Sequence, residues 1–182
     1  FSPIKSELYF ISDDNQKNDF IERIDNYFKN NKKPFCLMVA SHLPHGPYAD
    51  VDNYNKNKSN KNFKYTKRFS KAGYYQNIDD DNSQINKVLD LVKKNNLKNS
   101  TVFIYISDHG LDGKWTVYES GLKIPLVIRW PGKIKSGTFS NEMISIVDIL
   151  PTLIDLGGGN SEKLDLDGYS FANSIDGQNS FK

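Results

Sequence analysis

The sequence predicts an α/β protein with a mostly parallel sheet flanked by helices. Three observations carry this. Phe35 to Ala40 and Thr101 to Ile106 are continuous apolar runs of strand length, as expected for strands buried on both faces. Stretches with apolar residues at helical spacing precede and separate them. Both runs end in residues able to do chemistry, and ligands of open α/β sheets sit beyond the carboxyl ends of strands.

The elements follow in order. Asp14 to Asn31 reads as an amphipathic helix after a polar loop, with Phe20, Ile21, Ile24, Tyr27 and Phe28 on one face. Pro34 stops it, because proline cannot continue the hydrogen-bond ladder and restricts the residue before it. The first strand, Phe35 to Ala40, runs into Ser41-His42-Leu43-Pro44-His45-Gly46-Pro47-Tyr48, a punctuated loop. Residues 49–71, rich in Asn, Lys, Asp and Tyr with little periodicity, read as a surface loop. A second helix spans about Ala72 to Lys94, with Ile78, Ile85, Val88, Leu89 and Val92 as its stripe and Lys93 and Lys94 at its negative end. Thr101 to Ile106 is the second strand, and Ile124 to Trp130, with Pro125 near its start, is the third. Ile144 to Leu156 is a further helix, with Pro151 in its first turn or kinking it, and Gly157 to Gly159 end it.

Composition narrows the function classes. The chain has 182 residues, 37% hydrophobic and 25% charged, enough for one compact domain or part of a larger one. Its net charge is +2 with both signs interspersed, so nucleic acid is not an expected partner. No apolar run of about 18 residues is present to span a membrane. The single cysteine, Cys36, lies inside a strand and is expected to be inert packing rather than a nucleophile. The chain begins at Phe1 and stops at Lys182 in a polar stretch, so both ends read as cuts through a longer protein.

All three histidines follow the first two predicted strands: His42 and His45 after one, His109 after the other. In parallel neighbours those ends share one sheet edge, which would bring the imidazoles together with Asp108. His42 and His45 serve equally well as loop residues bonded to local backbone. Asp108 and His109 can offer a carboxylate oxygen and an imidazole nitrogen to a divalent cation, with further acids needed from elsewhere. For an isolated Asp-His-Gly, Asp108 as an N-cap or turn residue is the favoured reading. Lys114, between Gly113 and Trp115, can hold an anionic ester as a point charge. Asp79, Asp80 and Asp81 are expected to be a solvated helix face, because steps of about 100° cannot aim all three at one site.

Four stretches in order resemble the sulfatase family of the alkaline phosphatase superfamily. They are Lys33-Pro34-Phe35 through the Pro44-His45-Gly46-Pro47 loop; Tyr74 to Leu97 leading into Ser107-Asp108-His109-Gly110; Gly113-Lys114, Tyr118-Glu119 and Ile124-Pro125-Leu126 to Arg129-Trp130-Pro131-Gly132; and Val147-Asp148-Ile149-Leu150-Pro151-Thr152 with Asp167-Gly168-Tyr169-Ser170. The resemblance spans about Pro34 to Ser170.

It implies an alkaline-phosphatase-like fold, incomplete in this chain, and metal-assisted hydrolysis of a sulfate ester. Asp108 and His109 would be ligands of one cation, usually calcium, although His109 suits other metals too. Lys114 would hold a sulfate oxygen, and His45, with His42 beside it, the sulfate or the leaving oxygen. The family attacks with a formylglycine made from Cys/Ser-x-Pro-x-Arg, and no such motif occurs in this sequence. Residues 1–182 are therefore expected to be the later part of a catalytic domain, without its nucleophile and inactive alone. A sulfated small molecule or saccharide is the expected substrate, and a periplasmic, secreted or lysosomal setting is the family's usual one. Two alternatives stand beside this: a phosphoester or phosphonate hydrolase of the same superfamily, and a noncatalytic anion-binding relative.

Overall fold

Phe20, Ile24 and Phe28, four residues apart, are all buried on one side of helix α1, Asp19–Asn30. Such spacing makes a helix stick to a core. A computed structural model describes residues 7–12, 19–45, 71–110 and 114–175. The chain divides into two compact units, one ending at Asn96 and one beginning at Leu97. Residues 49–70, nearly all of the expected surface loop, lie outside the described residues.

In the first unit, strand β1 (Glu7–Ser12) pairs in parallel with β2 (Phe35–Ala40), in register from Glu7 with Phe35 to Ser12 with Ala40. α1 lies between them in sequence, as parallel pairing requires a crossover. β1 lies where a polar loop was expected before the helix; α1 is described from Asp19, and the expected start at Asp14 lies outside the described residues. Tyr27 and Phe28 pack on Phe35, with ring centroids 5.2 and 5.6 Å away.

Helix α2, Lys71–Lys94, buries Val88, Leu91 and Val92. Its end is tied to α1 through Asp25, whose carboxylate meets Lys29 at 2.7 Å and Lys94 at 2.9 Å and accepts a 3.1 Å hydrogen bond from Asn95. The Lys29 hydrogen bond, then those from Lys94 and Asn95, hold the Asp25 carboxyl well below the usual carboxylate range. Lys94 thus forms an ion pair as well as facing the helix dipole.

In the second unit, β3 (Phe103–Ile106) pairs antiparallel with β4 (Leu126–Arg129), Phe103 opposite Arg129 and Ile106 opposite Leu126. β4 begins just after Pro125, which has no N–H to give a ladder. The one-turn helix α3, Glu119–Leu122, precedes it. After a 3-10 turn at Ile146–Asp148 comes α4, Ile149–Leu156, with Pro151 in its first turn, where a missing N–H costs nothing. A 3-10 turn at Ser161–Lys163 and α5, Ala172–Ile175, complete it. No helix among the described residues is long and apolar enough to cross a membrane.

Asp155 on α4 anchors the loop that follows. Its carboxylate accepts the Ser161 N–H at 2.8 Å and the Ser161 hydroxyl at 3.0 Å. Partial burial acts to raise this carboxyl, but hydrogen bonds from Ser170 and from the Ser161 N–H and hydroxyl together outweigh it and leave it lowered. A lowered folded-state value means stability present above the unfolded-state value and lost as pH falls through the folded one. Ser161→Ala is therefore expected to cost stability at pH 7 and little at strongly acid pH. Urea unfolding at both checks this, and an equal loss at both would refute the assignment.

Candidate active site

β3 delivers Ser107-Asp108-His109-Gly110 at its carboxyl end, and the turn is held from within. The Ser107 hydroxyl donates to the His109 carbonyl at 2.9 Å. Gly110 donates its N–H to the Gly121 carbonyl in α3 at 2.9 Å, fixing where the strand ends. His109 Nδ1 lies 2.7 Å from the Gly110 carbonyl oxygen, which can only accept. Nδ1 therefore carries a proton, and in the neutral ring Nε2 is the nitrogen with a lone pair to offer.

That Nε2 faces Asp108 Oδ2 at 3.6 Å, with the Asp108 side chain 83% exposed. Metal–ligand lengths of about 2.0–2.6 Å let one cation touch both atoms. Tying the far nitrogen to a backbone carbonyl is how metal-ligating histidines are usually oriented. The donor pair fits a divalent cation, although among the described residues no group of three potential ligands forms.

Lys114 and Trp115 stand exposed on the turn before α3, with the ammonium 5.7 Å from the indole centroid. Leu111 to Gly113 lie outside the described residues.

His42 and His45 belong to the first unit. The turn between them contains a cis Leu43-Pro44 bond and closes through a 3.0 Å hydrogen bond from the His45 N–H to the His42 carbonyl. The two exposed rings meet edge to face, centroids 5.2 Å apart. Helix α2 holds this loop. Asn77 donates to the His45 carbonyl at 3.0 Å, and the Ser41 hydroxyl donates to Asp81 at 2.8 Å while accepting the Leu43 N–H at 3.1 Å.

The structure thus brings Asp108 to His109 and His42 to His45. It corrects the reading of the acidic triplet: Asp79 and Asp80 are exposed, but Asp81 is buried, 4% exposed, as a loop anchor. Sequence reasoning also missed Asn77. The available signal was phase, since Asn77 and Asp81 continue the buried stripe of Val88 and Val92 one turn at a time. Cys36 is half-buried, and burial raises its thiol, which disfavours the reactive thiolate.

The fold is that of an alkaline-phosphatase-like α/β protein. Two solved structures share the fold: the yidJ protein of Bacteroides fragilis (TM-score 0.68, 25% identity, 89% of this chain and 40% of that one) and Ps i-CgsB in complex with k-i-k-neocarrahexaose (TM-score 0.67, 24% identity, 87% and 38%). The chain belongs to the sulfatase family, whose model, Sulfatase, matches residues 3–159. An ulvan-active sulfatase of Formosa agariphila is 44% identical over 165 residues, 87% of this chain and 33% of its own length. The chain spans about a third of that relative. Family members generally use a divalent metal.

Proposed function

We propose that this chain carries the cation-binding and sulfate-binding part of a sulfuric ester hydrolase acting on a sulfated saccharide. The observation that carries the reading is the Asp108–His109 pair, imidazole Nε2 and carboxylate oxygen 3.6 Å apart on a glycine-locked strand end, within a sulfatase-family chain. Asp108 and His109 hold the cation, calcium being the first candidate. When bound, the cation supplies positive charge to the nonbridging sulfate oxygens. Lys114 donates to one sulfate oxygen and fixes the ester. As the nucleophile, supplied from outside this chain, bonds to sulfur and the sulfur–oxygen bond to the sugar breaks, His45 is the proposed proton donor to the departing oxygen, so no free alkoxide leaves. His42, in ring contact with His45, is the further substrate-binding candidate on this loop.

The nucleophile lies outside this sequence, which contains no Cys/Ser-x-Pro-x-Arg motif. The chain then corresponds to the later part of a catalytic domain. A saccharide is favoured because the 44% identical relative is named as active on ulvan.

Calorimetric titration of inorganic sulfate into the chain, with and without calcium, tests this. Calcium is expected to strengthen sulfate binding, and Asp108→Ala to abolish that dependence. Lys114→Ala is expected to weaken sulfate binding about ten- to hundredfold, the worth of a hydrogen bond to a charged group. Unchanged binding in Lys114→Ala would overturn the reading, as would sulfate release from an aryl sulfate by the isolated chain.

A further inference from the structure

Trp115 is out of place on ordinary grounds. It is 93% exposed, although an indole is among the most favourable side chains to bury. Its backbone sits at φ 71°, a region where a bulky side chain is a genuine outlier. Such conformations cost free energy and persist where function uses them. Val117 and Tyr118, in the same turn, are 85% and 73% exposed, so nothing else in this chain covers the turn's apolar surface. A single exposed apolar residue needs no explanation, but a clustered patch marks a contact site.

The chemistry of the patch selects what it contacts. Lys114 sets its ammonium 5.7 Å from the indole centroid. The ammonium stands over one face of the ring and the indole is otherwise open, so a ligand on the uncovered face meets a flat, electron-rich surface with one positive charge at its border. The indole face carries the negative lobe of its quadrupole and attracts weakly positive C–H groups. A pyranose ring presents such a C–H face, and a sulfate ester on that ring supplies the anion for the ammonium.

We infer that Trp115 is the stacking platform for the sugar ring whose sulfate Lys114 holds, which makes it a specificity-determining residue. The inference rests on the proposed role of Lys114. The platform explains why a tryptophan is kept exposed beside the lysine: inorganic sulfate needs only the cation, whereas a sulfated sugar uses both.

The test is a set of titrations into the full chain with calcium, using inorganic sulfate, a monosulfated disaccharide, the same disaccharide without sulfate, and phenyl sulfate. The wild type is expected to bind the sulfated disaccharide more tightly than inorganic sulfate or phenyl sulfate. Trp115→Ala is expected to bind the sulfated disaccharide about tenfold more weakly while binding inorganic sulfate as before, and Trp115→Phe to keep most of the affinity. Since Trp115 is so exposed, neither variant is expected to alter the fold, which circular dichroism checks. In a Trp130→Phe background Trp115 is the sole tryptophan, and its emission is expected to shift to the blue with the sulfated disaccharide and not with inorganic sulfate.

If the wild type binds no inorganic sulfate, the Lys114 reading and this inference fall together. If it binds sulfate and the sulfated disaccharide, and Trp115→Ala binds both equally well, the inference alone falls. Tighter binding of phenyl sulfate overturns the saccharide assignment. A change in sedimentation coefficient on Trp115→Ala, with saccharide affinity unchanged, would make the patch a protein contact and overturn it as well.

Discussion

Gly110→Ala is expected to destabilise the second unit by about 3 kcal/mol or more and to lower its melting temperature by about 12–24 °C. A Cβ at Gly110 would lie 2.1 Å from the Ser120 carbonyl oxygen and 2.9 Å from its carbon. Both are backbone atoms, so no side chain can swing away to make room. The Gly110 N–H also donates to the Gly121 carbonyl at 2.9 Å, so the two segments are joined at the point where the methyl would push them apart. Relief requires separating the end of β3 from α3, and that moves the Gly110 carbonyl which orients His109. The variant should therefore lose calcium-dependent sulfate binding in conditions where it is still folded. Gly132→Ala is the control: it has nothing within 4 Å of the new Cβ, only a φ of +85°, and should cost about 1–2 kcal/mol with sulfate binding intact. Thermal denaturation followed by circular dichroism, with calorimetry on the folded fraction, measures both. A Gly110→Ala variant that melts with the wild type would show that β3 and α3 are not locked at this point.

Legibility followed how local each cause was. Phe35 to Ala40 reads as a strand because its own six residues are apolar. Glu7–Ser12 does not, since Leu8, Tyr9, Phe10 and Ile11 are too few to distinguish from a loop next to a polar stretch. Its strand character comes from pairing with β2 nearly thirty residues on. Strand direction is likewise non-local. The alternation of elements suggested parallel neighbours, but the described connection between β3 and β4 contains only the single turn Glu119–Leu122, and the pair is antiparallel. At the site, Asp108 and His109 were legible because the strand and its turn are contiguous. Their support was not, because Gly121, which holds Gly110, lies eleven residues beyond it. Asp81 was legible in principle, as one member of a triplet stepping by about 100° must fall in phase with the buried stripe.

Gly168→Ala should be as damaging as the change at Gly110, at about 3 kcal/mol or more, for a related reason. A Cβ there would meet the Val147 carbonyl oxygen at 2.2 Å, its carbon at 2.4 Å and the Asp148 nitrogen at 2.8 Å. The close approach serves a clamp that holds the segment after Asp167 against the start of α4. Asp148 accepts the Ser145 N–H through one carboxylate oxygen and the Tyr169 N–H through the other, both at 2.8 Å. Thr152, fully buried, donates its hydroxyl to the Asp148 carbonyl at 2.6 Å and accepts the Phe171 N–H at 3.0 Å. Thr152→Val keeps the shape and removes only the hydroxyl, leaving the buried Phe171 N–H without that acceptor, at a cost of about 1–3 kcal/mol. Steric exclusion at Gly168 is then expected to exceed the loss of the hydroxyl at Thr152. The double variant should fall short of the sum, because once the Gly168 methyl has displaced the segment, the Thr152 hydroxyl has less left to hold. Urea unfolding of the two single variants and the double variant measures this coupling. Strict additivity would show that glycine and threonine stabilise the unit independently, and that the segment after Asp167 is not clamped as one piece.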